Sequence, residues 1–309
     1  MNEIGARQFN TALQLFSRGQ TEAAIRLLTQ VLGEDPDHGP AHALLALCLL
    51  RQKRLHAARL ESVRALELEP DSAFTQMAAA SVAVAHRRFG EAQAHLQTAQ
   101  ALEPEAAGVH EQFARLYLAW QCEEQALRHC QQAQALDPHD ASLPALRAAI
   151  ELQRGQHAEA AHWAEAALQM DPEDVEALSV LGYSELRAGR VEAAREHALW
   201  ALRLDPTDQQ ALTLLGAIKA RQSLVLGVWW RFQTLVGSGS RQRAITLLVA
   251  IYLLYRIALV ALEQHGGKQW LLAVSLAWLG FCVYTWFAPT LFWKSVRREL
   301  AQVRLRPEF

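Results

Sequence analysis

Cysteine is scarce in this chain of 309 residues, and the four present are scattered. Cys48, Cys122, Cys130 and Cys282 form no CxxC pair, and no histidine stands at ligand spacing beside them. That excludes a sequence-local zinc knuckle and leaves small buried hydrophobes as their expected role. The twelve histidines are equally dispersed, without an HExxH. There is no phosphate-cradling glycine loop and no GxSxG elbow. No cofactor, metal or catalytic site is therefore expected, and the chain is not read as an enzyme. Basic charge is also short in residues 1–220, which hold 19 Lys/Arg against 29 Asp/Glu, whereas residues 221–309 hold 11 against 3. An acidic first part argues against nucleic acid as a partner, because phosphate binding needs a basic footprint. Residues 1–14 contain neither a basic stretch nor a continuous apolar run, so no cleavable signal peptide is expected.

What is present is a period. Six of the ten prolines, Pro36, Pro70, Pro104, Pro138, Pro172 and Pro206, are spaced by 34 residues. Twelve positions before each stands an alanine: Ala24, Ala58, Ala92, Ala126, Ala160 and Ala194. Twelve positions before those stands another small residue: Ala12, Ala46, Ala80, Ala114, Ala148 and Gly182. Small residues at fixed register let two helix axes approach closely. Proline cannot continue a helix interior, so it marks where the second helix of each unit ends. Glu22, Glu91, Glu124, Glu159 and Glu192 fall where the first turn of the second helix begins and suit its dipole. Gly19, Gly155 and Gly189 fit the turn inside a unit.

This pattern resembles the tetratricopeptide repeat (TPR) family, a 34-residue helix–turn–helix. The resemblance implies an all-α, right-handed TPR α-solenoid with repeats at 5–38, 39–72, 73–106, 107–140, 141–174 and 175–208. Residues 209–222 begin a seventh unit, with Leu212, Leu215 and Gly216 in first-helix positions, and are expected to form a capping helix. The solenoid with its cap then occupies residues 1–222.

After residue 222 the period stops and the composition changes. Residues 244–262 are apolar apart from Thr246 and Arg256, and residues 270–293 carry no charge. Each is long enough for a helix crossing a ~30 Å hydrocarbon core. Gly266 and Gly267 lie between them, so residues 241–309 read as a two-helix transmembrane hairpin with a basic C-terminal tail. Arg231, Arg241 and Arg243 precede the first span, and Lys294, Arg297, Arg298, Arg304 and Arg306 follow the second. The connecting loop has only Lys268. The positive-inside rule then predicts a cytoplasmic repeat array and C-terminus, in a membrane read as the bacterial inner membrane. Trp270, Trp286 and Trp293 fit an interfacial belt. Residues 224–236 are apolar but too short to span. With Trp229, Trp230 and Arg231 ahead of a Gly/Ser hinge at 237–240, they form either an interfacial helix or a cover for the solenoid's end. Arg256, deep in its span, either snorkels to the surface with help from Trp278 or pairs with an acid in a partner's membrane helix.

The TPR resemblance also assigns a groove. Its first-helix positions correspond here to Phe9, Leu13 and Phe16, then Leu47 and Leu50, then Phe74, Met77 and Val84. Further along the set is more polar, with Glu111, Arg115, Glu176 and Tyr183. Phe9, Leu13 and Met77 stand where a carboxylate clamp would need polar groups, so an amphipathic helix or apolar peptide is the expected ligand, with partial burial by superhelical packing or a homodimer contact as the alternatives. The function expected is a membrane-anchored scaffold or adaptor that binds protein partners and lipid, with an accessory subunit of a transport, secretion or exopolysaccharide assembly complex as the alternative.

Overall fold

The computed structural model describes residues 3–222, 252–257, 259–263, 270–280, 282–284, 287, 290 and 294. No strand occurs among the described residues. The chain divides into two compact units, Met1–Met170 and Asp171–Phe309. The first holds five helix pairs: α1 (Glu3–Ser17) with α2 (Thr21–Glu34), α3 (Gly39–Arg51) with α4 (Leu55–Leu68), α5 (Ala73–Ala85) with α6 (Phe89–Leu102), α7 (Ala107–Ala119) with α8 (Glu123–Leu136), and α9 (Ser142–Gln153) with α10 (His157–Met170). The second begins with α11 (Val175–Arg187), α12 (Val191–Leu204) and α13 (Gln209–Gln222).

The alanines do what their spacing implies. Ala24, Ala58, Ala92, Ala126, Ala160 and Ala194 are all fully buried, as are Ala12, Ala46, Ala114 and Ala148. Each helix pair closes on these small side chains, and larger residues such as Leu28, Leu44, Leu96, Leu116 and Leu146 fill the space between pairs. Gly182 departs from alanine for a visible reason. A β-carbon there would sit 2.4 Å from Cδ2 of Leu214, which α13 drives into the α11–α12 pair. Ala211, Leu214, Leu215 and Ile218 of α13 are fully buried, so this helix covers the end of that pair.

Both breaks in each unit are closed by hydrogen bonds. Within a pair, the first helix ends in a Schellman turn whose left-handed residue recurs every 34 positions: Gly19, Lys53, Arg87, Gln121, Gly155 and Gly189, with φ between 59° and 83°. At the first, Gln20 N–H donates to Leu15 C=O at 2.8 Å and Gly19 N–H to Phe16 C=O at 3.0 Å, and the others repeat both bonds. Glycine meets the positive φ in three repeats. Lysine, arginine and glutamine meet it in the rest. Between pairs the second helix stops ahead of the repeat proline, and the next first helix opens on a capping side chain. His38 Nδ1, Ser72 Oγ, Asp174 Oδ1 and Asp208 Oδ1 accept from Ala41, Thr75, Ala177 and Ala211 N–H at 3.0, 3.4, 2.9 and 2.7 Å. Asp140, in the same register, accepts from Ser142 N–H. Ala106 alone of this series has no side chain that can cap.

Residues 252–257, 259–263, 270–280 and 282–284 are helical. Among the described residues no helix is long and apolar enough to cross a membrane. The expected spans 244–262 and 270–293 lie partly outside the described residues, and the segment 224–236 with Trp229, Trp230, Arg231 and the 237–240 hinge lies wholly outside them.

Candidate functional site

The groove positions lie on α1, α3 and α5 of the first unit. Phe9, Phe16, Leu47, Leu50, Phe74, Met77 and Val84 are half-buried, and Leu13 is 40% exposed. The stripe is therefore less open than the sequence implied, because stacking the first helices side by side covers one flank of each side chain. Phe74 touches both the core around α1–α3 and that between α3 and α5, and Met77 and Val84 back onto the core of α5–α9. Phe9 leans on His38, with ring centroids 5.3 Å apart. The guanidinium of Arg51 lies 5.0 Å over Phe16 and donates to the Phe16 carbonyl at 2.7 Å, so one cation fixes the end of α1. Towards α7 the lining turns polar. Ser81 Oγ donates to Gln112 Oε1 at 3.1 Å, and Arg115 pairs with Glu111 at 2.9 Å. Between α5 and α7 a crevice of about 140 Å³ is floored by Ala80, Val84 and Leu116 and rimmed by Ser81, Gln112 and Arg115. In the second unit Tyr183 donates to Gln210 C=O at 3.4 Å, and burial, reinforced by Asp208, pushes its phenol up to about 12.

A polar ladder escaped the reading of the sequence. In three successive pairs a first-helix side chain meets a second-helix side chain 19 residues on. His42 Nδ1 is 2.6 Å from Glu61, His95 Nδ1 is 2.8 Å from Gln76 Oε1, and His110 and His129 meet Nδ1 to Nδ1 at 3.1 Å. The register was visible, since His95 and His129 are 34 apart. Burial holds His95 and His110 below the usual histidine range, and burial with His110 and Arg128 holds His129 down to about 4. Phe113 and Tyr117 stack on His129 with centroids 4.7 and 5.5 Å away, and Tyr117 stacks on Trp120 in turn. Above this stack a crevice of about 240 Å³ opens between α6 and α8, lined by Gln100, Tyr117, Gln125, Arg128, His129 and Gln132.

Burial raises the thiols of Cys48 and Cys130 to about 11, so both are protonated packing residues. Among the described residues no group of three or more His, Cys, Asp or Glu is placed to hold a metal ion.

The C-terminal helical residues differ in kind from the rest. Leu254, Ile257 and Leu272 are 67, 63 and 71% exposed, and Leu253, Trp270, Leu276, Leu279 and Phe287 are exposed with them. Tyr255 stacks on Trp278 with centroids 4.5 Å apart and planes 11° from parallel, and Tyr252 approaches the same indole at 6.2 Å. The two segments are thus joined through aromatic rings. Trp278, expected from the sequence to help Arg256, gives a ring face to Tyr255.

Comparison with known proteins bears on the repeats. Residues 6–80 match one family model described as tetratricopeptide repeat, and residues 145–209 and 179–223 match a second with the same description. No curated protein sequence matches the chain. Among solved structures, the Cut9–Hcn1 hetero-tetramer of the APC/C superposes with a TM-score of 0.56 at 15% identity, covering 69% of this chain and 42% of that one. This chain thus spans less than half of that protein. PilW, described as a widely conserved type IV pilus biogenesis factor, gives 0.52 at 17% identity, covering 70% and 100%. A tetratricopeptide repeat protein from Parabacteroides merdae gives 0.51 at 16%, covering 81% and 98%. At these identities the likeness is one of fold.

Proposed function

Because the chain belongs to the tetratricopeptide repeat superfamily, whose arrays serve as protein-interaction scaffolds, we propose that it is a membrane-anchored adaptor. The apolar stripe of α1, α3 and α5 captures a helix or peptide, and the C-terminal segments hold the complex on a bilayer. The observation that carries the anchoring is the exposure of leucine, isoleucine and tryptophan on residues 252–257 and 270–280. A face of that size is costly in water and at home in hydrocarbon. Basic residues beyond both apolar runs support an orientation with the repeats and the C-terminus on the cytoplasmic side, as in a bacterial inner membrane.

For the groove, the half-burial of Phe9, Leu47 and Met77 is itself informative. Each presents one apolar flank and is held by the core on the other, so the surface is pre-organised and loses little side-chain entropy on binding. An amphipathic helix laid along the stripe would bury that flank. Anchoring the array then raises the partner's effective concentration at the membrane without demanding tight binding.

The test replaces Phe9, Leu47 and Met77 together by Asp in the full chain and repeats an affinity capture from native membranes. The expected result is loss of the captured partner while far-UV circular dichroism still shows a folded helical array, melting at a lower temperature because all three side chains also rest on the core. Recovery of the same partner by a folded triple variant would remove the groove from the account.

A further inference from the structure

Arg256 gives the membrane-anchored role a specific partner, one that exists only if that role holds. Tyr255 and Tyr252 turn towards Trp278, so the ridge carrying them is taken up in joining the two helical segments. The neighbouring ridge is not. Leu253, Arg256, Ile257 and Val260, at helical three-and-four spacing, are all exposed and line an open hollow of about 320 Å³. It is an apolar face with a guanidinium at its middle.

The charge identifies what covers it. Residues 244–262 and 270–293 contain no Asp or Glu, so neither the hairpin nor a second copy of it offers a counter-charge at that depth. Two copies meeting on this face would instead bring like charges together. Lipid phosphate is the other anion available. Arg256 lies twelve residues after Ala244 and six before Leu262, or ~18 and ~9 Å from the two ends of the run. The Cα–Cβ bond of a helical residue tilts towards the helix N-terminus. That tilt starts the Arg256 side chain towards Leu253 and the bilayer interior, so reaching the nearer headgroups requires it to turn back along the helix. A carboxylate on an adjacent membrane helix meets the positive charge at its own depth, where a charge-assisted hydrogen bond is strong.

We infer that the face of Leu253, Arg256, Ile257 and Val260 docks a transmembrane helix of a different protein carrying Asp or Glu within its apolar stretch.

The test uses the full chain in its own membranes, with a photo-crosslinking phenylalanine analogue at Val260 beside the arginine. Extraction with alkaline carbonate comes first, and release of the wild-type chain there would overturn the anchored reading and this inference with it. With the chain retained, illumination is expected to give a protein adduct that maps by mass spectrometry to an apolar segment containing Asp or Glu. Its yield should fall at least about tenfold in Arg256→Gln and largely survive in Arg256→Lys. Adducts to lipid alone, to a second copy, or to a protein whose capture is unchanged in Arg256→Gln would each overturn the inference while leaving the anchor intact.

Discussion

Gln121 occupies left-handed backbone, φ 64°, at the register where Gly19, Gly155 and Gly189 stand in other repeats. That conformation costs a residue with a β-carbon roughly 1–2 kcal/mol, partly offset by glycine's greater freedom when unfolded. Gln121→Gly should therefore stabilise the chain by roughly 0.5–1 kcal/mol in a denaturant titration. Arg87→Gly should gain less, because it removes the cation over Phe89 at 5.8 Å. The three glycines made the turn legible in the sequence. The other three turns were hidden, because backbone register outweighed residue preference there. His129 supplies a pH prediction. Folded, it takes up a proton only near pH 4, whereas unfolded it does so around ~6.5, so acid favours the unfolded chain between those values. Its contribution to stability is complete above the upper limit and falls as pH falls through the window. In His129→Gln the drop in melting temperature between neutral pH and pH ~5 should be visibly smaller than in the wild type.

At the scale of elements, the helix ends were the most legible feature, because proline and small residues act locally and repeat. The caps show where a local rule is broken: Ala106 opens α7 with no acceptor, while Ser72, Asp174 and Asp208 cap at the same register. Ala106→Asp should stabilise by about 1 kcal/mol, measured as a shift in the unfolding midpoint. Ala126, fully buried where α7 and α8 close, gives the opposite case. Ala126→Leu should destabilise by ~1–3 kcal/mol, since the axes cannot separate without disturbing their neighbours. The His42–Glu61, Gln76–His95 and His110–His129 rungs were illegible despite their register. They use different residue types in each pair, so no single letter recurs. How exposed the stripe of Phe9 and Met77 is was not legible, because how far stacked first helices cover these side chains depends on interhelix packing.

For the molecule as a whole, charge and hydropathy divide the chain as the proposed role requires: acidic repeats first, then a basic, apolar end. The repeats are sustained by alanine-lined closure of each pair, whereas Leu254, Ile257, Leu272 and Leu279 are exposed. That contrast is the physical core of the anchored-adaptor reading. The measurement that reaches it most directly is alkaline carbonate extraction of membranes from cells producing the full chain, followed by sedimentation. The account predicts that the chain stays with the bilayer and leaves it only in detergent. Recovery as a compact monomer in the aqueous fraction would contradict it.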